Sequence, residues 1–270
     1  MLRRAGIRPS KRFGQNFLVD QRALSAIVEA ARAAAPETVI EIGAGLGTLT
    51  RELAVIATRV IAVEIDRRLA ELLEEAVAGL ENVEVLRADF LDVDLAALTR
   101  RGPLHVVGNL PYGVTSPILT RLVEARGTIC EALVLTQSEV AEKVAASPGP
   151  DGSSLGVYIQ AYASVEIVTR VPRGAFHPVP QVDSTLWRIV FRPTPRFTAP
   201  PQRFFDVVRA LYGKRRKMVR VALRDLVPAE RVTMVLQVAG IDPTARGETL
   251  SFAQLDRIAA ALATGSSRAD

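Results

Sequence analysis

Residues 39–48, Val-Ile-Glu-Ile-Gly-Ala-Gly-Leu-Gly-Thr, limit this chain more than any other stretch. A β-branched run passes straight into alternate glycines and then into a helical pattern. A buried parallel strand that turns sharply into a helix accounts for both halves. Gly43, Gly45 and Gly47 let the backbone turn and approach a ligand with no Cβ in the way. Glu64 closes the next apolar run, 21 residues beyond Gly43. At that distance a carboxylate can accept hydrogen bonds from both hydroxyls of a ribose. The glycines read Gly-x-Gly-x-Gly, not Gly-x-Gly-x-x-Gly, and Glu41 precedes them. That favours a nucleoside with no pyrophosphate to cradle, S-adenosylmethionine, over a nicotinamide dinucleotide. Asp89, in Arg87-Ala-Asp-Phe90, follows the third apolar run. It is placed to accept from an adenine amino group or, alternatively, to cap a helix.

Beyond this unit, apolar runs at 60–63, 83–86, 104–107 and 132–135 alternate with helical patterns near 48–56, 67–78, 116–125 and 138–146. Asp20 ahead of Leu24, Ile27, Val28 and Ala31 reads as an N-capped amphipathic helix. The alternation implies a doubly wound, mostly parallel sheet of Rossmann-like α/β type. After the turn-rich Ser147-Pro-Gly-Pro-Asp-Gly-Ser-Ser154, a helix near 154–163 and strands near 165–171 and 184–191 complete seven strands, the last two suited to antiparallel pairing. Pro193, Pro195, Pro200 and Pro201 mark a linker over 193–201. The rest is helical only, near 204–212, 217–226, 230–238 and 252–262. The expected organisation is a methyltransferase domain over 1–192, the linker, and a small all-helical domain over 202–270.

Gly108-Asn-Leu-Pro-Tyr112 follows the fourth run, at the sheet edge where open α/β folds bind ligands. An aromatic amino nitrogen is a poor nucleophile because its lone pair is delocalised into the ring. Two acceptors on its hydrogens, the Asn109 side-chain oxygen and the Leu110 carbonyl, favour a pyramidal nitrogen with that lone pair free to attack a sulfonium methyl. Pro111 fixes φ and presents the Leu110 carbonyl rigidly. Tyr112 offers a flat face for a flipped-out base. Transfer by in-line displacement needs positioning and electrostatics, with no covalent intermediate and no obligatory base.

Composition removes several alternatives. A single cysteine, Cys130, excludes an internal disulfide framework and a cysteine-based zinc site, and two histidines, His105 and His177, make no metal centre. His105 lies in an apolar run and reads as a packed strand residue. No apolar run is long enough to span a bilayer, and the basic N-terminus lacks the apolar stretch of a signal peptide, so a cytoplasmic setting is expected. Residues 37–99 hold 13 acids and 5 bases, whereas residues 203–224 hold 8 bases and 1 acid, and the first sixteen residues hold 5 bases and no acid. Two basic surfaces flanking an acidic body suit a polyanion, although solvated helix faces would produce the same charges.

Together these motifs resemble the ribosomal RNA adenine dimethyltransferases, over nearly the whole chain. Lys11-Arg-Phe-Gly-Gln-Asn-Phe-Leu18 is similar to that family's N-terminal signature, and Phe176-His-Pro-Val-Pro-Gln-Val-Asp-Ser184 to its late signature. Arg215-Arg216-Lys217 and Gly240-Ile-Asp-Pro-Thr-Ala-Arg246 resemble the helical domain of its bacterial small-subunit branch, the one associated with kasugamycin sensitivity. The resemblance implies transfer of two methyls to each of two adjacent adenines near the 3′ end of small-subunit ribosomal RNA, in immature subunits. Nothing in the sequence suggests an obligate protein partner or a membrane, and a monomer is expected. The resemblance also implies cofactor contacts at Asn16, Leu18, Gly43, Gly45, Glu64, Ile65, Asp89, Phe90 and Asn109. Phe176 is expected to sandwich the target adenine against Tyr112, with RNA held by Lys11, Arg12, Arg215, Arg216, Lys217 and Arg220. Gly113, where the family often has Asn, and Val221, where Arg-Asn often follows the basic cluster, depart from the pattern. The alternatives are the large-subunit enzyme of macrolide resistance, which usually carries Asp-Asn-Ile-Pro-Tyr, a DNA adenine methyltransferase, a non-catalytic RNA-binding assembly factor, and a dinucleotide oxidoreductase.

Overall fold

The computed structural model describes residues 14–99 and 102–264. The chain divides into two compact units: one formed by the chain up to Ala141 with Ser164–Phe191, the other by Glu142–Ala163 with the chain from Arg192 onward.

The first unit holds β1 (Phe17–Leu18), α1 (Gln21–Arg32), β2 (Thr38–Ile42), α2 (Thr48–Ile56), β3 (Arg59–Glu64), α3 (Arg67–Val77), β4 (Val83–Arg87), β5 (Leu104–Asn109), α4 (Thr115–Glu124) and β6 (Ile129–Gln137). After α5 (Ser138–Ala145) and α6 (Ser154–Tyr162) come β7 (Ala163–Val171), β8 (Phe176–His177) and β9 (Ser184–Phe191). Seven strands form one sheet in the order β4-β3-β2-β5-β6-β9-β7. The β2–β3, β2–β5, β3–β4 and β5–β6 pairs are parallel and β6–β9 is antiparallel. Every residue of β2 is buried, as expected of a parallel strand covered on both faces. Strand order reverses between β2 and β5, which opens a crevice at their carboxyl ends.

Local chemistry sets the helix boundaries. The Asp20 side chain accepts from Ala23 N at 2.8 Å, and Ala23, Leu24, Ile27, Val28 and Ala31 form the buried stripe of α1. That stripe joins Leu53 of α2, Val39 of β2 and Leu186 of β9 in one apolar cluster. Asp66 caps α3 through Arg68 N. The antiparallel pair β1–β8, with Phe17 opposite His177 and Leu18 opposite Phe176, was not foreseen. Two-residue strands carry no periodicity to read.

In the second unit, α7 (Pro201–Gly213), α9 (Ala229–Ala239) and α10 (Phe252–Thr264) pack with α6 and the short α8 (Val219–Ala222). The boundaries expected at 1–192 and 202–270 are therefore shifted, because 142–163 belongs with the helices. The stretch 193–201 is not a loose linker either. Phe197 is buried and stacks on Phe204 at 4.5 Å, while the Asp256 carboxylate accepts from Thr198 N, the Thr198 hydroxyl and Ala199 N. Proline density signals a break in helix, but the aromatic ring between the prolines supplies the apolar area that holds the segment down. The helix expected over 217–226 is the short α8 followed by a 3-10 turn, Leu223–Asp225.

Candidate active site

The glycine loop meets Glu64 as its spacing requires. The Glu64 Oε2 accepts from Gly45 N and its Oε1 from Asp66 N, both at 2.8 Å. Two backbone donors thus orient a carboxylate that is only 5% exposed. Burial raises its pKa, and the same N–H groups oppose that rise. Each oxygen keeps a further lone pair for a ligand hydroxyl. Gly45 (φ +58°) and Gly47 (φ +74°) are left-handed, and a Cβ on Gly45 would lie 3.3 Å from the Phe17 ring.

A cleft of about 370 Å³ lies over this loop, lined among others by Asn16, Leu18, Gly43, Gly45, Glu64 and the whole of Asn109, Leu110, Pro111 and Tyr112. An adjoining cleft of about 270 Å³ is lined by Asp89, Phe90, Val114 and Ile118, and shares Gly14, Gly43, Ile65 and Pro111 with the first. Asp89 does cap a helical turn, through Leu91 N at 2.9 Å. That contact occupies Oδ1 alone, so capping and a role in the cleft are compatible. Phe90 is buried, whereas Ile65 is half exposed between the two clefts.

Residues 14–20 lie across the first cleft as a strap. Gln15 Nε2 donates to Asp66 Oδ2 at 3.0 Å, and Val19 N donates to the Ala175 carbonyl at 2.8 Å. The Asn16 side chain turns back to the Gly14 carbonyl, while the Asn16 carbonyl accepts from Asn109 Nδ2 at 2.9 Å. With the amide NH2 held there, Oδ1 is the Asn109 atom left for a ligand; among the described residues no protein donor reaches it or the Leu110 carbonyl. Leu110 is itself fixed, by Leu110 N on the Leu135 carbonyl at 3.0 Å and by a buried side chain. Pro111 (φ −61°) opens the turn, and its carbonyl accepts from Val114 N and the Thr115 hydroxyl. Tyr112 is half buried at the cleft, its hydroxyl 3.0 Å from Ser184 Oγ.

Two expectations need correction. Phe176 is 2% exposed, belongs to the apolar cluster with Ile27 and Leu186, and lines neither cleft. Pairing of β8 with β1 turns its ring into the core, so it is no open wall opposite Tyr112 in this structure. Arg215 is not a free cation: its guanidinium donates to the Pro150 and Gly152 carbonyls and sits over the Tyr212 ring. Arg216, Lys217 and Arg220 are exposed as expected, and Lys11 and Arg12 lie outside the described residues. His105 is half buried on β5 with Cys130 Sγ at 3.3 Å, and no metal-binding cluster occurs among the described residues.

Glu41 is a site residue whose role the spacing argument missed. It is 3% exposed, lines the first cleft, and its Oε2 has no hydrogen-bond partner among the described residues. Burial, helped by the neighbouring Glu64 charge, pushes its pKa up to about 8. The available signal was a lone acid set among Val39, Ile40 and Ile42 in the buried Thr38–Ile42 strand.

Across residues 7–264 the chain matches the family model for ribosomal RNA adenine dimethylase. The chain belongs to the ribosomal RNA adenine dimethylase family. Ribosomal RNA small subunit methyltransferase A of Pelotomaculum thermopropionicum is 42% identical over 96% of this chain and 93% of that protein. Its counterpart in Moorella thermoacetica is 42% identical over 95% and 94%. Among solved structures, the 23S rRNA methyltransferase ErmE is 34% identical, with a TM-score of 0.73 over 92% of this chain and 100% of that one. A dimethyladenosine transferase from Plasmodium falciparum, 23% identical, shares the fold with a TM-score of 0.76 over 90% and 95%.

As a member of this family of adenine dimethylases, the chain is an S-adenosylmethionine-dependent methyltransferase, and its residues fit that cofactor. The unpartnered Glu41 oxygen is a buried acceptor suited to a cationic ligand, and Glu64 is an oriented acceptor suited to a diol. The cleft with Asp89 and Phe90 offers an apolar slot with one carboxylate, suited to an aminopurine.

Proposed function

We propose that this protein dimethylates the N6 amino groups of two adjacent adenines near the 3′ end of small-subunit ribosomal RNA, during small-subunit assembly in the cytoplasm and as a monomer. The observation that carries the chemistry is the Asn109 amide, whose NH2 is tied to the Asn16 carbonyl so that its oxygen, beside the Leu110 carbonyl, is left as an acceptor. Glu64 holds the ribose, Asp89 with Ile65 and Phe90 the adenine, and Glu41 the cationic end of S-adenosylmethionine, which supplies the electrophilic methyl. Asn109 Oδ1 and the Leu110 carbonyl take the two hydrogens of the target amine, and Tyr112 stacks on its ring. No side chain needs to accept a proton, because the methylated amine is acidic enough to lose one to water. Arg216, Lys217 and Arg220 hold RNA phosphates.

Small-subunit substrate is favoured by the 42% identity to small-subunit enzymes along almost their whole length, and by Gly108-Asn-Leu at the reaction loop. The 34% identity to ErmE supports a second reading, large-subunit methylation. Methylation of immature small subunits and of naked large-subunit RNA, with mass-spectrometric mapping of the product, separates the two. Dimethyladenosine confined to the large-subunit RNA would reject the first.

A further inference from the structure

The end of the late signature, Val182-Asp-Ser184, has no part in the chemistry described so far, yet Ser184 touches the reaction loop directly. It opens β9, is fully buried at 0% exposure, and places Oγ 3.0 Å from the Tyr112 hydroxyl. We infer that Ser184 is a positioning residue for methyl transfer: it tethers the phenol tip so that the Tyr112 ring keeps one orientation at the cleft. This rests on the base-stacking role proposed for Tyr112.

The start of β9 is built to hold that hydroxyl still. Before Ser184, the Asp183 carbonyl accepts from Ser138 N at 3.0 Å and the Asp183 carboxylate from Arg173 N at 2.9 Å. After it, the Thr185 hydroxyl donates to Ser138 Oγ at 2.9 Å and Trp187 Nε1 to Thr136 Oγ1 at 3.0 Å. The antiparallel register sets Gln137 opposite Ser184 and Thr136 opposite Thr185. Ser184 is therefore anchored on both sides by β6 and the first residue of α5. The Tyr112 side of the contact is weaker. Its 3-10 turn, Tyr112–Val114, has no side-chain cap, and its middle residue is an exposed glycine, Gly113, with nothing within 4 Å of where a Cβ would stand. A half-buried ring on such a turn has more than one rotamer open to it, and a hydrogen bond at its tip selects one. Phenylalanine would supply the same flat face without the tether.

The test compares Ser184→Ala, Tyr112→Phe and the double variant on immature small ribosomal subunits, measuring kcat, KM, thermal stability and calorimetric affinity for S-adenosylmethionine. Each single variant should lower kcat roughly tenfold, the scale of one hydrogen bond, with cofactor affinity unchanged. The double variant should be no slower than either single one, because both changes break the same contact. Losses that multiply in the double variant, or a wild-type kcat in Ser184→Ala, overturn the inference. Should Ser184→Ala prove unstable in the melt, Tyr112→Phe decides alone, since it leaves β9 intact: a slower kcat supports the tether and an unchanged kcat overturns it. Failure of the substrate reading shows separately, as wild-type protein that transfers no methyl to small subunits; the same variants are then read on large-subunit RNA.

Discussion

Glu41→Gln should stabilise the protein in alkaline solution and uncouple cofactor binding from pH. In the fold, burial pushes the Glu41 carboxyl from its ordinary 4.5 to about 8. A folded-state pKa above the unfolded one favours the native state below the unfolded value, and that advantage is lost as pH rises to the folded value. Between pH 4.5 and pH 8 the carboxyl ionises in the unfolded chain but stays protonated in the fold, which removes on the order of 5 kcal/mol of native stability. Glutamine keeps the shape and has no proton to lose. The melting temperature of Glu41→Gln relative to wild type should therefore climb from pH 5 to pH 9, by on the order of 10 °C for a domain of this size. With S-adenosylmethionine the sign reverses for wild type, because a bound cation favours the ionised carboxyl and draws its pKa down. At pH 7 a group titrating near 8 is about 90% protonated, so binding should release nearly one proton. Calorimetry in buffers of different ionisation enthalpy measures that release directly, and Glu41→Gln should show none. A melting difference that is flat from pH 5 to 9, together with buffer-independent binding heats in wild type, would refute the reasoning.

Four further outcomes are expected. Asn109→Ala removes one of the two acceptors on the target amine and should slow transfer of labelled methyl by on the order of 100-fold with RNA binding retained; undiminished dimethyladenosine would sink the mechanism. Glu64→Gln keeps the volume but weakens a charge-assisted contact to the ribose, so the calorimetric Kd for S-adenosylmethionine should rise about tenfold or more. Reversing Arg216, Lys217 and Arg220 to Glu should weaken RNA binding and flatten its salt dependence. Arg215→Glu should act differently, lowering the melting temperature and exposing the 147–153 loop to protease, since Arg215 holds that loop's carbonyls.

The sheet was legible because its strands are short β-branched runs and its helices carry their own boundaries. Thr38–Ile42, Thr48–Ile56 and Ser184–Phe191 fall where the pattern puts them. Asp20 is a capping side chain readable in one dimension, whereas the cap at Asp66 emerged only from the structure. The glycine loop, Glu64 and the Asn109 loop were equally legible, because each lies at the end of a strand and parallel strands bring those ends to one edge. The strap was legible only as a signature. Its contacts, Gln15 with Asp66 and Asn16 with Asn109, join residues 51 and 93 positions apart.

By itself, then, the sequence determined the alternation of strands and helices, the glycine loop and the Asn109–Tyr112 loop, since each is written in residues within one turn or one strand of each other. Tertiary structure decided what those residues are free to do. It buried Phe176 where a base-stacking wall was expected, tied Arg215 to backbone carbonyls where an RNA contact was expected, and left Glu41 with an oxygen that no donor among the described residues reaches. The physical reason is the same in all three. Burial and hydrogen-bond partnership depend on which distant segment packs against a residue, and neither local propensity nor motif spacing contains that information.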